Sequence, residues 1–421
     1  MRTLKFNCYD EFACTGPKCE DTCCKNWDIF LTKKEYWDYK NMSFTPELKA
    51  LMDKAFYRVK QGNSLQYATV QFKEDCTCHL LDKDGLCMLQ KEKGEDALPS
   101  VCSLFPRVWG KIGDDAIVFS LTPTCCHAVE LLMQHPEGLV LTEGEYDDSN
   151  KWINKGQWTG PTIPSNAKIM PYIWSIKAAQ IDILQNRNFN IPERLLILGY
   201  FTQKACEYLE NSPEKLHQLG AMMLDQELLA KLAKSLKASQ TDKQAAAKSA
   251  NIMFKLVKFA RNTRPDSSVT RLLDIIAENT DLKFDLNDAE DEGESEDANN
   301  EYNIEINFKK LSHNFEIYSE IEADRPYIIE NLLVNLIFSE FPADSKSLWE
   351  NYFSLVLLYN FLQFYMSAFL PDDEYTDSEL AAAITNTVKI LLNSNLAKAA
   401  MLMEYELNGT NTLSYVAFLI N

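Results

Sequence analysis

Several things are missing from this sequence, and each absence narrows what the protein does. No apolar run follows the charged N-terminal stretch Met1–Asp10, so a secretory signal is not expected. No apolar stretch reaches the roughly 20 residues needed to cross a bilayer. The densest, Phe353 to Leu370, is interrupted by Asn360, Gln363 and Ser367 and reads as a buried helix. A cytoplasmic protein without a membrane span is the expectation. Basic residues are also in short supply, with 42 Lys and Arg against 61 Asp and Glu and a net charge of −19. The deficit is uneven: residues 1–130 hold 17 basic against 19 acidic residues, and the remainder 25 against 42. Nucleic acid is therefore not the expected partner, because neutralising phosphates takes clustered Lys and Arg. The acidic faces are solvated helix surfaces or steer a basic partner.

What is present is ordinary in bulk and unusual in one place. A chain of 421 residues allows two or three domains of about 150 residues each. Hydrophobic residues at 46% and charged residues at 24% predict a packed interior. Eleven of the twelve cysteines lie between Cys8 and Cys126, and only Cys206 lies beyond. Without a secretory signal, that density points to metal ligation or redox chemistry rather than disulfides.

The fold class expected is mainly α: an irregular cysteine-rich N-terminal metal-binding domain with a small β-hairpin, then a helical body. Arg107–Ile112 and Ala116–Leu121 are β-branched and aromatic runs separated by Gly113-Asp114-Asp115, a hairpin pattern. That hairpin brings Cys102, before it, and Cys125 and Cys126, after it, to one end. Lys33 to Lys40 begins a helix with Thr32 as N-cap and Glu35 three residues on. The division expected is a cysteine domain over 1–135, an irregular connector over 136–165 and a helical domain over 166–284. An acidic loop over 285–302 and a bundle segment over 303–421 packing on the first helices complete it. Pro192 and Pro213 sit at first-turn positions of two helices, the second with Ser212 as its N-cap. Residues 221–262 hold one or two more helices. Tyr327 to Phe338, Ser347 to Leu370 and Glu379 to Tyr405 are the last three. The loop DLNDAEDEGESEDANNEY is too polar to offset its ordering entropy.

Close-spaced cysteines on irregular backbone suit zinc, copper(I) or iron–sulfur clusters, since thiolates are soft ligands. Zinc favours paired CxxC knuckles, and none is present: Cys76-Thr77-Cys78 is too short and the other spacings too long. The Cys19-x3-Cys23 spacing invites comparison with the radical S-adenosylmethionine motif CxxxCxxC, but position 26 is Asn26, so the motif fails. No Rossmann-type glycine-rich loop is present either. An iron–sulfur centre is the expectation, with zinc as the alternative.

Cys14-x4-Cys19-Glu20-Asp21-Thr22-Cys23-Cys24-x2-Trp27 is followed by Cys78-His79-Leu80-Leu81 with Gly85-Leu86-Cys87. Then come Leu98-Pro99-x2-Cys102-x2-Phe105-Pro106-Arg107 and Ser120-Leu121-Thr122-Pro123-Thr124-Cys125. Together these resemble the flagellin lysine-N-methylase family, within a wider group of cysteine-cluster zinc- or iron-chelating proteins. The helical run Tyr327 to Pro342 is similar to the family's helical segment. The resemblance implies S-adenosylmethionine-dependent methylation of lysine ε-amines on flagellin, with a [4Fe-4S] cluster taking part. It makes Cys14, Cys19, Cys23, Cys24, Cys78, Cys87, Cys102 and Cys125 the metal candidates, Cys19, Cys23, Cys24 and Cys102 ranked first. The alternative function is a non-enzymatic iron–sulfur or zinc protein in redox or partner binding.

Arg107 either neutralises a thiolate cluster, holds the carboxylate of the methyl donor, or makes a salt bridge. His79 and His127 adjoin candidate cysteines, and Trp27 and Trp109 are expected to pack over the cluster. Asn331 and Asn335, one turn apart on an apolar helix, are expected to cap a neighbouring loop rather than touch a ligand. A general base for the lysine amine is required, and the sequence does not single one out.

Overall fold

The computed structural model describes residues 1–19, 21–25, 29–75, 77–147, 162–238, 268–280, 308–370 and 374–392. Trp27, Cys76, the acidic stretch 285–302 and the chain beyond residue 392 lie outside the described residues. The protein is mainly helical, and among the described residues its strands lie between Arg2 and Glu145.

Two small sheets are present among the described residues. The first has the order β5-β6-β1-β7, from β1 (Arg2–Phe6), β5 (Arg107–Ile112), β6 (Ala116–Leu121) and β7 (Leu141–Glu145). The expected hairpin is β5–β6, antiparallel with Ile112 opposite Ala116. Its turn needs Gly113, which has φ +56° and would bring any Cβ to 2.7 Å from Met170 Cε. The hairpin is not isolated, however. The N-terminal strand β1 runs parallel to β6, with Leu4 opposite Val118, and β7 pairs antiparallel on its other side. Every residue of β6 is buried, as a strand packed on both faces requires. Strand β7 falls in the stretch expected to be an irregular connector. Its sequence LTEGE is mostly exposed, so backbone pairing with β1 holds it rather than an apolar face, and no periodicity marks it.

The second sheet, β2-β4-β3, joins Phe30–Leu31, Ala68–Val70 and Phe56–Arg58. Around it lie α1 (Lys33–Asn41), α2 (Pro46–Ala55), α3 (Met88–Lys93) and α4 (Ser100–Leu104). Thr32 and Glu35 form the expected capping box of α1. Glu35 also accepts the backbone N–H of Ser100 at 2.6 Å, tying α4 to α1.

These elements enclose a small core of their own, centred on Ile29, Leu31, Leu48, Met52, Val70 and Leu80. A much larger core runs from Leu4 through the first sheet to Leu391. The chain thus begins in the large core, leaves it for the small lobe, and returns along β5.

The body that follows is built from α5 (Cys126–Met133), α6 (Ile173–Leu184), α7 (Ile191–Asn211), α8 (Leu216–Met222) and α9 (Gln226–Ala238). It continues with α10 (Ser268–Thr280), α11 (Phe308–Asp324), α12 (Tyr327–Ser339), α13 (Ser345–Tyr365) and α14 (Asp377–Leu392). Asn190 and Glu193 cap α7, with Pro192 in the first turn. Ser212 differs from expectation: its hydroxyl donates to Asn211 O, and its side chain caps no helix. The Ser345–Phe369 segment is long and apolar enough to cross a membrane by length and composition, and 78% of its apolar window is buried inside the protein.

Helix α12 organises the body around the site. It packs against α5, α6 and β6. Its buried Glu330 accepts hydrogen bonds from Arg194 Nη1 at 2.7 Å and from Arg187 Nε at 3.0 Å, locking α12 to α7. Asn331 Nδ2 donates to Leu132 O and His135 O at the C-terminal end of α5, and Asn335 Nδ2 donates to Leu121 O at the end of β6. Both asparagines therefore cap neighbouring backbone, as expected, and between them they fix the segment that carries Cys125 and Cys126.

Candidate metal centre

The cysteines converge because short turns and bridges fold the lobe back on itself. Cys24 O accepts the backbone N–H of Cys78 at 2.7 Å, next to the bridge between Lys25 and Thr77. Leu81 bridges Cys87 across a tight turn in which Asp82 Oδ1 accepts the N–H groups of Asp84 and Leu86. Gly85 sits in that turn at φ +75°, and a Cβ there would lie 3.5 Å from Pro17. Cys87 precedes α3, Cys102 lies within α4, and Cys125 is the N-cap residue of α5.

All eight cysteines singled out by the sequence line one cavity of about 440 Å³: Cys14, Cys19, Cys23, Cys24, Cys78, Cys87, Cys102 and Cys125. Arg107 and His127 line it as well. The hairpin brings Cys102 and Cys125 to the same end, as its geometry predicts. Cys8 and Cys206 stay away from it. Each is held in the large core, and burial pushes each thiol up to about 12.

Two thiol pairs mark the walls. Cys19 Sγ and Cys126 Sγ are 3.1 Å apart, and Cys126 Sγ also reaches Asp21 O. Its hydrogen bond with Cys19 lowers the Cys126 thiol to about 7, and Cys19 moves up in return. The hydrogen bond between Cys23 and Cys24 likewise lowers Cys24 to about 7 and raises Cys23. Burial raises Cys78 and Cys125 to about 12, and it raises Cys87 and Cys102 as well. Burial favours the neutral thiol; a soft cation or an iron–sulfur core reverses the preference by ligating the thiolate.

Among the described residues, no three Cys, His, Asp or Glu side chains are already drawn to a common point as a metal's ligands would be. Two thiol pairs, Cys19 with Cys126 and Cys23 with Cys24, are hydrogen-bonded instead. The donor set itself is that of a soft metal: eight sulfurs on one wall-to-wall cavity, the chemistry that zinc and iron–sulfur clusters take. On that criterion the residues fit such a group.

The remaining candidates separate cleanly. Arg107 Nη2 donates to Phe12 O at 2.8 Å, and its guanidinium lies 4.8 Å from the Phe12 ring centroid. It stands at the cavity edge as a fixed positive charge, within electrostatic range of Cys14. His127 Nδ1 is 2.7 Å from Glu130 Oε2, and Ser378 Oγ donates to the other oxygen of Glu130. This His–carboxylate pair, of which His127 lines the cavity, was missed by sequence reasoning, although its i, i+3 spacing was visible. His79 does not line the cavity. Trp109 packs against the large core and does not line the cavity. Cys126, passed over in favour of its neighbour, supports Cys19.

The lobe and the body meet at this site. Asp21 forms a buried ion pair with Lys389 of α14. Asp21 also lines a second cavity, of about 380 Å³, with Lys25, Asn279, Glu379 and Asn386.

Comparison with known families matches residues 178–419 to the FliB lysine N-methylase C-terminal domain. The chain belongs to the FliB lysine N-methylase family. The match covers the helical body and starts beyond the cysteine cavity. Two curated relatives named lysine-N-methylase, from Salmonella typhimurium strain LT2 and Salmonella choleraesuis strain SC-B67, are each 25% identical over 229 residues. Each alignment covers 53% of this chain and 53% of the relative, so the chain spans about half the length of the curated lysine-N-methylases it matches. A flagellar biosynthetic protein FliU from Salmonella muenchen is 29% identical over 136 residues, 31% of this chain and 77% of its own length. No solved structure matches.

Proposed function

We propose that this FliB-family chain is a cytoplasmic lysine methyltransferase. It moves the methyl group of S-adenosylmethionine to lysine ε-amines of flagellin, with a thiolate-ligated [4Fe-4S] cluster in its cysteine cavity. Family membership supports the methylation, and the names of the relatives point to lysine and the flagellum. The observation that carries the cluster is the convergence of eight cysteines, spread over more than a hundred residues, on one cavity.

Cys24, Cys78, Cys87 and Cys102 are the ligands we assign to the cluster. Each of these four is within electrostatic range of the other three, and all four belong to or pack against the lobe core. Neighbourhood in sequence favours Cys19 and Cys23 instead; neighbourhood in the fold favours Cys78 and Cys87. When bound, the cluster supplies a dense, polarisable negative centre beside the reacting groups. Arg107 offsets that charge and is the residue we assign to the carboxylate of the methyl donor. The lysine amine must be neutral to accept a methyl group. His127, oriented by Glu130, is the residue we assign to take its proton. The strongly acidic body suits a partner whose reactive surface is basic.

Mass spectrometry of flagellin co-expressed with the intact protein tests this reading. Lysines heavier by one methyl group are expected, and unchanged lysines in the presence of correctly folded, metal-loaded protein would contradict it. His127→Gln is expected to lower methylation at least tenfold near neutral pH while metal content stays constant.

A further inference from the structure

We infer that the cysteine cavity is built for two separate thiolate-ligated metal centres, with the adjacent residues Cys23 and Cys24 divided between them. This rests on the assignment of Cys24, Cys78, Cys87 and Cys102 to one centre and goes beyond it. A four-iron cluster takes four thiolates, and eight line the cavity. The other four are Cys14, Cys19, Cys23 and Cys125. They do not pack into the lobe core that holds the first set. Cys14, Cys19 and Cys23 each lie within electrostatic range of Cys125, which packs against the large core. Cys23, hydrogen-bonded to Cys24 and in range of Cys102, is where the two sets touch.

The two sets thus belong to different structural units. The first rides on the lobe, held by the Cys24–Cys78 backbone bond and the Leu81–Cys87 bridge. The second straddles the lobe and the body: Cys14, Cys19 and Cys23 come from the outgoing chain and Cys125 from the start of α5. Cys126 hydrogen-bonds Cys19 and reaches Asp21 O, so it orients a ligand without being needed as one. Asp21 is in turn fixed to Lys389. Filling the second set would therefore clamp the lobe onto the body at the site. The ligand is a soft metal centre, a zinc ion or a second iron–sulfur cluster. Each thiol that ligates it gives up its proton to solvent.

The test is quantitative metal and acid-labile sulfide analysis of anaerobically prepared full-length protein. It compares wild type, Cys78→Ser/Cys87→Ser, Cys14→Ser/Cys125→Ser and the single exposed-site variant Cys14→Ser. If the second centre is zinc, Cys14→Ser/Cys125→Ser loses the zinc and keeps its iron and sulfide. If it is a second four-iron cluster, that variant loses about half of both. Cys78→Ser/Cys87→Ser is expected to lose the complementary share, and Cys14→Ser alone to weaken only the second centre. Wild-type metal in Cys14→Ser/Cys125→Ser would overturn the second centre and leave the first standing. Complete metal loss in both double variants, with Cys14→Ser also losing everything, would mean one shared centre and overturn the division. Wild-type metal in Cys78→Ser/Cys87→Ser alone would instead defeat the assignment of the first set.

Discussion

The cysteine lobe and the helical body achieve order by different means. The body buries a continuous apolar core, with 11 of the 13 residues of α12 and 13 of the 21 of α13 buried. Its buried charges Glu330 and Arg194 are paired with each other. The lobe has a dozen buried side chains, short strands and a cavity lined by thiols. A core of that size closes with little to spare, and small domains commonly recruit a metal to make up the difference. The difference teaches that the cysteines belong to the architecture of the lobe as well as to its chemistry.

The largest expected effect follows from that contrast. Stripping metal from the anaerobic protein is expected to remove amide-exchange protection from β2, β3 and β4 while α7, α12 and α13 keep theirs. Equal loss in both regions would erase the distinction. Next in size is Glu330→Gln, which breaks a buried ion pair and leaves Arg194 charged without a counter-ion. Destabilisation of about 3 kcal/mol is expected, read by denaturant unfolding of the body, with metal content unchanged. Asn335→Leu removes a buried hydrogen bond to Leu121 O and should cost about 1–2 kcal/mol. Because that bond positions the run leading to Cys125, a measurable drop in metal affinity should accompany it. Thr32→Ala deletes the capping box of α1, and about 1 kcal/mol is expected, confined to the lobe and larger when metal is absent.

The smallest effect concerns pH. Burial pushes Lys177 down to about 7 although it donates to the carbonyls of Ile337 and Glu340. Between that value and the lysine's ordinary range the unfolded chain binds a proton that the folded chain does not, so stability rises with pH there. Lys177→Met should flatten that slope in urea unfolding measured from neutral to mildly alkaline pH.

Much of the site was legible before the fold was seen. Cysteine spacing and the β5–β6 turn placed Cys102 and Cys125 together, and the Thr32–Glu35 signature located α1, because both signals are local. The pairing of β1 with β6 was not legible. It joins segments more than a hundred residues apart, and β7 carries no apolar alternation to betray it. For the same reason the approach of Cys78 and Cys87 to Cys24 was not legible; the lobe's bridges bring them there, beside Cys23, which hydrogen-bonds Cys24. Ser212 shows the local limit: a serine before a proline reads as a cap, yet its hydroxyl turns back to Asn211. Trp109 was expected over the cysteines; it shares a strand face with Arg107, which lines the cavity, but lies further along β5, against the large core.

The central claim is that the cysteine lobe, and not the body, holds a thiolate-ligated iron–sulfur cluster. Anaerobic purification followed by visible absorption, iron and sulfide analysis tests it most directly, with Cys24→Ser/Cys78→Ser set beside Cys8→Ser/Cys206→Ser. The account predicts a coloured protein that loses the lobe cluster's iron and sulfide in the first variant and keeps all of its iron and sulfide in the second. A colourless wild type carrying stoichiometric zinc and no sulfide would contradict it.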